Sequence, residues 1–127
     1  MLCGTRCFMK AAMIIAFFVV GLAATASGQS LGGRYQVIGK NFDGSSYSGT
    51  AEVVVTSENT CRITWVTGGT TSRGICMRNG VAFSAGYVLG NAVGLVIYEI
   101  KADASLDGLW TIADKSGVGH ERLVPMK

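Results

Sequence analysis

Proline is nearly missing from this 127-residue chain, where Pro125 stands alone, and histidine is represented by His120 only. Charged residues make up just 15% of the sequence. Each scarcity excludes something. One histidine and no G-x-S-x-G turn leave no nucleophile elbow, and a lone His120 between Gly119 and Glu121 reads as an exposed polar residue. No His or carboxylate cluster has metal-ligand spacing, so no metal and no cofactor is expected. No stretch beyond the first segment repeats with helical period, which argues against a helical domain. Nothing here forms a catalytic constellation, and the expectation is a protein that is not an enzyme.

Long apolar runs are also lacking, with one informative exception. Arg6 and Lys10 precede an uncharged apolar run over 11–24, and Ala24-Thr25-Ala26 follows with the small-x-small pattern read by signal peptidase. The run falls short of the roughly 18 apolar residues that a membrane span needs. Residues 1–26 therefore read as a signal-peptide helix, with Met1 or Met9 as the start, and the mature protein as periplasmic or secreted without a membrane span. No cysteine follows the run to carry a lipid. Loss of Arg6 and Lys10 brings the charge close to balance, which removes any case for nucleic acid as a partner. Cys3 and Cys7 leave too, and the remaining pair, Cys61 and Cys76, is expected to form a disulfide in an oxidising compartment.

What is abundant is glycine, 18 residues of it, placed between short runs of Val, Ile, Thr, Tyr and Trp. That pattern predicts eight strands, at 34–39, 48–56, 60–67, 70–78, 81–88, 92–100, 106–113 and 118–124, after a short flexible linker at 27–33. Asp43-Gly44, Gly68-Gly69, Asn79-Gly80 and Gly90-Asn91 suit tight hairpins, because Gly and Asn accept positive φ cheaply. Asn41, Asp43, Ser45 and Glu52 are spaced somewhat like a calcium loop, but Ser46 occupies the position that needs Gly, and a turn is the better reading. Short connections pair sequential neighbours, so 34–127 is expected to be one all-β domain, an up-and-down antiparallel barrel that leaves no open edge. A β-sandwich is the alternative.

Turn positions also predict register. A two-residue turn at Gly68-Gly69 sets Trp65 opposite Ser72, Ile63 opposite Gly74 and Cys61 opposite Cys76. A turn at Asn79-Gly80 sets Cys76 opposite Phe83 and Gly74 opposite Ala85. Both put Cys61, Ile63, Trp65, Cys76, Phe83 and Ala85 on one apolar face, taken as the interior, with Arg62, Thr64, Arg73 and Ser84 outside. Trp65, Phe83 and Trp110 are the expected core aromatics, large enough to fill an eight-stranded barrel. The Cys61–Cys76 bond would close a 15-residue loop, worth about 3 kcal/mol.

Glu121 and Leu123 share a face of the last strand. If Leu123 points inward, Glu121 approaches the interior and needs a partner, because an unpaired buried charge is costly. Arg78 is the candidate, and a solvated rim pair of Arg78 and Glu121 is the expected arrangement. The run Val93-Gly94-Leu95-Val96-Ile97-Tyr98 is apolar on both faces, so one apolar set must point outward. With Ile75, Met77, Ala82 and Val88 beside it, and Arg73 and Arg62 at its margin, this outer surface is the candidate contact site.

The runs Gly33-Arg-Tyr-Gln-Val-Ile-Gly39, Thr60-Cys-Arg-Ile-Thr-Trp65, Gly74-Ile-Cys-Met-Arg-Asn-Gly80, Gly94-Leu-Val-Ile-Tyr-Glu99 and Leu106-Asp-Gly-Leu-Trp-Thr111 occur in this order. Together with Phe42-Asp-Gly-Ser45, they resemble a family of small exported α-proteobacterial β-barrel proteins often labelled fibronectin-binding. Phe42 and Ala104 depart from the family's usual residues. The resemblance implies a non-enzymatic exported binding module whose partner is an extracellular-matrix glycoprotein such as fibronectin. Gly108-Leu-Trp110 and Gly33-Arg-Tyr35 are also similar to the G-x-W strands of lipocalins, avidins and secreted hydrolase-inhibitor barrels. That likeness implies two alternatives, a small-ligand carrier and a periplasmic hydrolase inhibitor. Self-association through the outer surface is a further expectation.

Overall fold

A computed structural model describes Ala16 and residues 30–127; apart from Ala16, the expected signal helix lies outside the described residues. Eight strands follow one another: β1 (Gly33–Lys40), β2 (Ser46–Val55), β3 (Thr60–Thr67), β4 (Thr70–Asn79), β5 (Ala82–Leu89), β6 (Ala92–Ile100), β7 (Leu106–Ile112) and β8 (Gly119–Pro125). Each pairs antiparallel with its sequence neighbours, and β8 returns to β1 with Val37 opposite Leu123, closing the barrel. Closure satisfies the backbone groups that a sandwich would leave on its edges, so the sandwich alternative falls.

The hairpins explain why these strands end where they do. Gly68 and Gly69 both take positive φ, as a two-residue turn of right-handed twist requires, and Cys61 faces Cys76 as expected. The next turn differs from expectation. It is made by Gly80 and Val81, so that Asn79 pairs with Ala82, Cys76 with Ala85 and Arg78 with Phe83. Gly80 alone supplies the positive φ, and Val81 stays outside the ladder. The shift preserves every residue's face, because side chains alternate with period two.

Interior positions alternate with exposed ones along the strands, as in β3, where Cys61, Ile63 and Trp65 are buried and Arg62 and Val66 are not. Val37, Val53, Ile63, Phe83, Tyr98, Leu106 and Leu123 form the centre of the core. The Cys61–Cys76 disulfide joins β3 to β4 with its Cα atoms 4.9 Å apart, inside the range that such a bridge spans. In the segment expected to be a linker, Leu31 is buried and its carbonyl accepts a 2.7 Å hydrogen bond from the Tyr35 hydroxyl. It caps one end of the barrel, because an apolar side chain there shields Ile100 and its neighbours from water.

Candidate functional site

The opposite end is not filled. There the interior opens into a cavity of about 340 Å³, at the end carrying the β1–β2, β3–β4, β5–β6 and β7–β8 connections. Its wall combines Tyr47, Trp65, Tyr87 and Trp110 with Leu89, Val96 and Ile112; Thr67, Thr70, Ser72 and Asn41 also line it, and Glu121 reaches it from β8. The expectation that Trp65, Phe83 and Trp110 pack the barrel solid is therefore corrected. Phe83 and Trp65 are buried, but Trp110 is only partly so, and both tryptophans border empty space.

The register shows how four aromatic rings fit beside one another. Tyr47 is paired with Gly39, Tyr87 with Gly94, Tyr98 with Gly108 and Trp110 with Gly119. Each ring lies over its glycine: a Cβ at Gly39 would meet Tyr47 at 2.1 Å, and one at Gly94 would meet Tyr87 at 2.1 Å. Glycine thus vacates the interior position that the neighbouring ring occupies. Trp65 meets Tyr87 edge-on at 5.3 Å, Tyr47 meets Trp110 at 6.1 Å, and Phe42 stacks on Trp110 at 4.7 Å from the β1–β2 connection. The Trp110 indole N–H is buried without a well-formed hydrogen bond, although close enough to the Tyr47 hydroxyl to influence it.

Glu121 stands between two of those glycines, paired with Gly39 on β1 and Gly108 on β7. The rings over them, Tyr47 and Tyr98, bring their hydroxyls onto its carboxyl group. Tyr47 donates to Oε1 at 2.9 Å, Trp65 Nε1 donates to Oε2 at 3.1 Å, and the Tyr98 hydroxyl donates to Oε2. Burial pushes the Glu121 carboxyl above its ordinary range, and the hydrogen bonds from Tyr98, Tyr47 and Trp65 pull it partly back. The same burial, with the nearby Glu121 charge, pushes Tyr87 up to about 12 and raises Tyr47 and Tyr98 as well. These phenols stay protonated donors at neutral pH.

The expected rim pair of Arg78 and Glu121 does not form. Glu121 is 7% exposed and sits among aromatic donors, whereas Arg78 lies toward the capped end, where its Nε donates to the Gly80 carbonyl at 2.8 Å. Leu123 does point inward and carries Glu121 with it, but the sequence reading paired Glu121 by charge at a solvated rim. It missed Tyr47, Tyr87 and Tyr98, whose signal is an aromatic residue directly opposite a glycine once the register is known.

The candidate contact surface does assemble on the outside. Ile75, Met77 and Val88 are exposed, Ile75 at 74%, and Arg62 and Arg73 lie beside them opposite Ile75 and Val88. On β6, Val96 and Tyr98 face inward, so Val93, Leu95 and Ile97 join this surface. His120 is exposed on the outer wall. Asn41, Asp43 and Ser45 form a turn in which Asp43 Oδ1 accepts hydrogen bonds from the Ser45 backbone and hydroxyl, while Glu52 points away on the outside of β2. Among the described residues no helix is long and apolar enough to cross a membrane.

No protein-family model matches this sequence, and no curated protein matches it either. Solved structures do match in fold. A redesigned β-barrel aligns with a TM-score of 0.67 at 17% identity, over 76% of this chain and 92% of that one. The redesigned barrel mFAP1, bound to DFHBI, aligns at 0.64 and 18% identity over 76% and 94%. A de novo designed fluorescence-activating barrel aligns at 0.61 and 14% over 75% and 93%. At these identities the likeness establishes the architecture, and the chain is a closed eight-stranded antiparallel β-barrel.

Proposed function

We propose that this protein is an exported, non-enzymatic barrel that binds a small ligand in the open end of its interior. The observation that carries this reading is the cavity of about 340 Å³ inside one end of the barrel, lined by the buried Glu121 and the rings of Tyr47, Trp65, Tyr87 and Trp110. That volume lies at the lower end of the range for small-molecule sites, and its mix of aromatic wall and few polar groups is typical of them. The structurally similar mFAP1 barrel holds DFHBI, which supports the fold's capacity for such a role. Export agrees with the leader-like segment at 1–26 and with the Cys61–Cys76 disulfide. A binding role is served by a cavity whose Glu121 carboxyl is held in place by three donors.

The two tryptophans of the chain, Trp65 and Trp110, both line the cavity, which makes intrinsic fluorescence a local reporter. Screening small aromatic and aliphatic compounds should give saturable quenching or a spectral shift at one site per chain. Narrowing the cavity with Ser72→Phe should abolish that response while far-ultraviolet circular dichroism stays unchanged. A wild-type barrel that responds to no compound, or a Ser72→Phe barrel that responds as before, would overturn the reading.

The exposed row of Ile75, Met77, Leu95 and Ile97 favours a second reading, a protein partner or self-association on the outer wall. The family resemblance would make that partner a matrix glycoprotein. Replacing Ile75 and Met77 by Glu should leave the fold intact and weaken both self-association in sedimentation and capture on immobilised fibronectin. Unchanged behaviour in both assays would remove the second reading.

A further inference from the structure

Of the described residues that line the cavity, Glu121 is the only one that carries a charge; no Lys, Arg or His is among them. Buried carboxylates are ordinarily paired with a cation. Here every partner of the carboxyl is a neutral donor: the Tyr47 and Tyr98 hydroxyls and the Trp65 indole N–H. Burial opposes ionisation, the three donors favour it, and none of them neutralises the charge once it forms. An ionised carboxylate offers about four acceptor positions. Two on Oε2 are taken by Trp65 and Tyr98 and one on Oε1 by Tyr47, so Oε1 retains capacity for one more donor.

The walls have the same preference. Tyr47, Trp65, Tyr87 and Trp110 surround the cavity, and aromatic faces attract cations electrostatically, more so when water is excluded. An anion would meet the Glu121 charge with no basic residue to hold it. A bare divalent metal would find a single carboxylate, too few hard oxygen ligands for a dedicated site. A small molecule with one ammonium and an apolar body would use both parts of the pocket. Its N–H would reach Oε1, and its body would lie against Val96, Leu89 and Ile112.

We propose that the ligand of this barrel is a small organic cation, an alkyl- or arylalkylammonium, whose charged nitrogen sits against Glu121 between the aromatic rings. This rests on the reading of the cavity as the binding site. It adds a chemical class that neither the fold nor the designed barrels of the same shape specify. The pairing would supply the charge partner that the described residues do not place there.

The test is a charge series of one shape on the wild-type protein: 2-phenylethylammonium, 2-phenylethanol and phenylacetate, titrated near neutral pH by tryptophan fluorescence and calorimetry. A charge-assisted hydrogen bond with cation–π contact should favour the ammonium over the alcohol by about tenfold or more. Phenylacetate should bind weakest. Glu121→Gln should erase the preference, because Gln can still accept from Trp65 and Tyr98 and donate to Tyr47 but carries no charge. Equal binding of alcohol and ammonium, or tighter binding of phenylacetate, would overturn the cation and leave a ligand-binding barrel standing. No response to any of the three would overturn this proposal, and the wider compound screen would then decide whether the cavity binds ligands at all. Because the series is run on wild type, the proposal can still be overturned if the Glu121→Gln chain fails to fold.

Discussion

At the end of the barrel capped by Leu31, the interior is built from Val53, Phe83, Ile100, Leu106 and the Cys61–Cys76 bridge. At the other end the equivalent inward positions carry Tyr47, Trp65, Ser72, Tyr87, Trp110 and Glu121 around open space. The same eight strands serve both ends, so the difference lies in side chains alone. Aliphatic residues and a crosslink suit close packing, which favours stability. Rings resting on glycines cannot collapse further and hold a space open. The capped end should therefore dominate folding stability and the open end should dominate recognition.

The largest expected effect tests that division directly. Phe83→Ala at the packed centre should cost about 3–5 kcal/mol in denaturant unfolding. Trp110→Ala, from a half-buried ring at the open end, should cost only about 1–2 kcal/mol while altering ligand response. Equal costs would dissolve the distinction between the ends. Removing the disulfide by replacing Cys61 and Cys76 with Ser should cost about 3 kcal/mol, given a 15-residue separation. Cys61 and Cys76 should resist thiol labelling in the native protein until it is reduced.

Glu121 sharpens the comparison through pH. Its carboxyl is raised above the ordinary value of 4.5, so the folded barrel holds that proton more tightly than the unfolded chain does. Its contribution to stability is therefore fully present below about 4.5 and is lost as pH rises through the higher folded value. A tenfold change in proton affinity corresponds to ~1.4 kcal/mol. Unfolding of wild type and Glu121→Gln, compared across acid to neutral pH, should show wild type losing ground to the variant as pH rises. Parallel curves would mean that burial does not perturb the carboxyl.

The smallest effect comes from two hairpins at opposite ends. At 41–45 and 101–105 the chain makes the same turn: Gly44 N–H bonds to Asn41 O, Ala104 N–H bonds to Lys101 O, and Asp43 and Asp103 each accept from the serine two residues on. Gly44 takes φ +84° and Ala104 φ +67°. An L side chain is strained in that region, so Ala104→Gly should stabilise the barrel by about 0.5–1 kcal/mol in thermal unfolding. Gly44→Ala should destabilise it by a similar amount. An Ala104→Gly variant no more stable than wild type would show that the turn tolerates alanine.

Much of the architecture was legible because it depends on local rules. Strand boundaries followed from glycine-rich turns, and all eight lay within two residues of their expected ends. The interior face of β3 and β4 followed from one turn and period-two alternation, and it survived even where the neighbouring turn slipped to Gly80 and Val81. The site was legible only in part. Glu121 could be placed inward from Leu123, but charge pairing suggested Arg78, which the fold carries toward the other end.

The sequence by itself determined an all-β chain, its strand order and the Cys61–Cys76 pairing, because turns and alternation act between near neighbours. Only the tertiary structure decided that Tyr47 from β2, Trp65 from β3 and Tyr98 from β6 meet one carboxylate on β8. Those contacts depend on the barrel's closure and on glycines vacating the positions opposite the rings. Tyr47 and Trp65 lie 74 and 56 positions from Glu121 and become its neighbours only when the last strand pairs with the first.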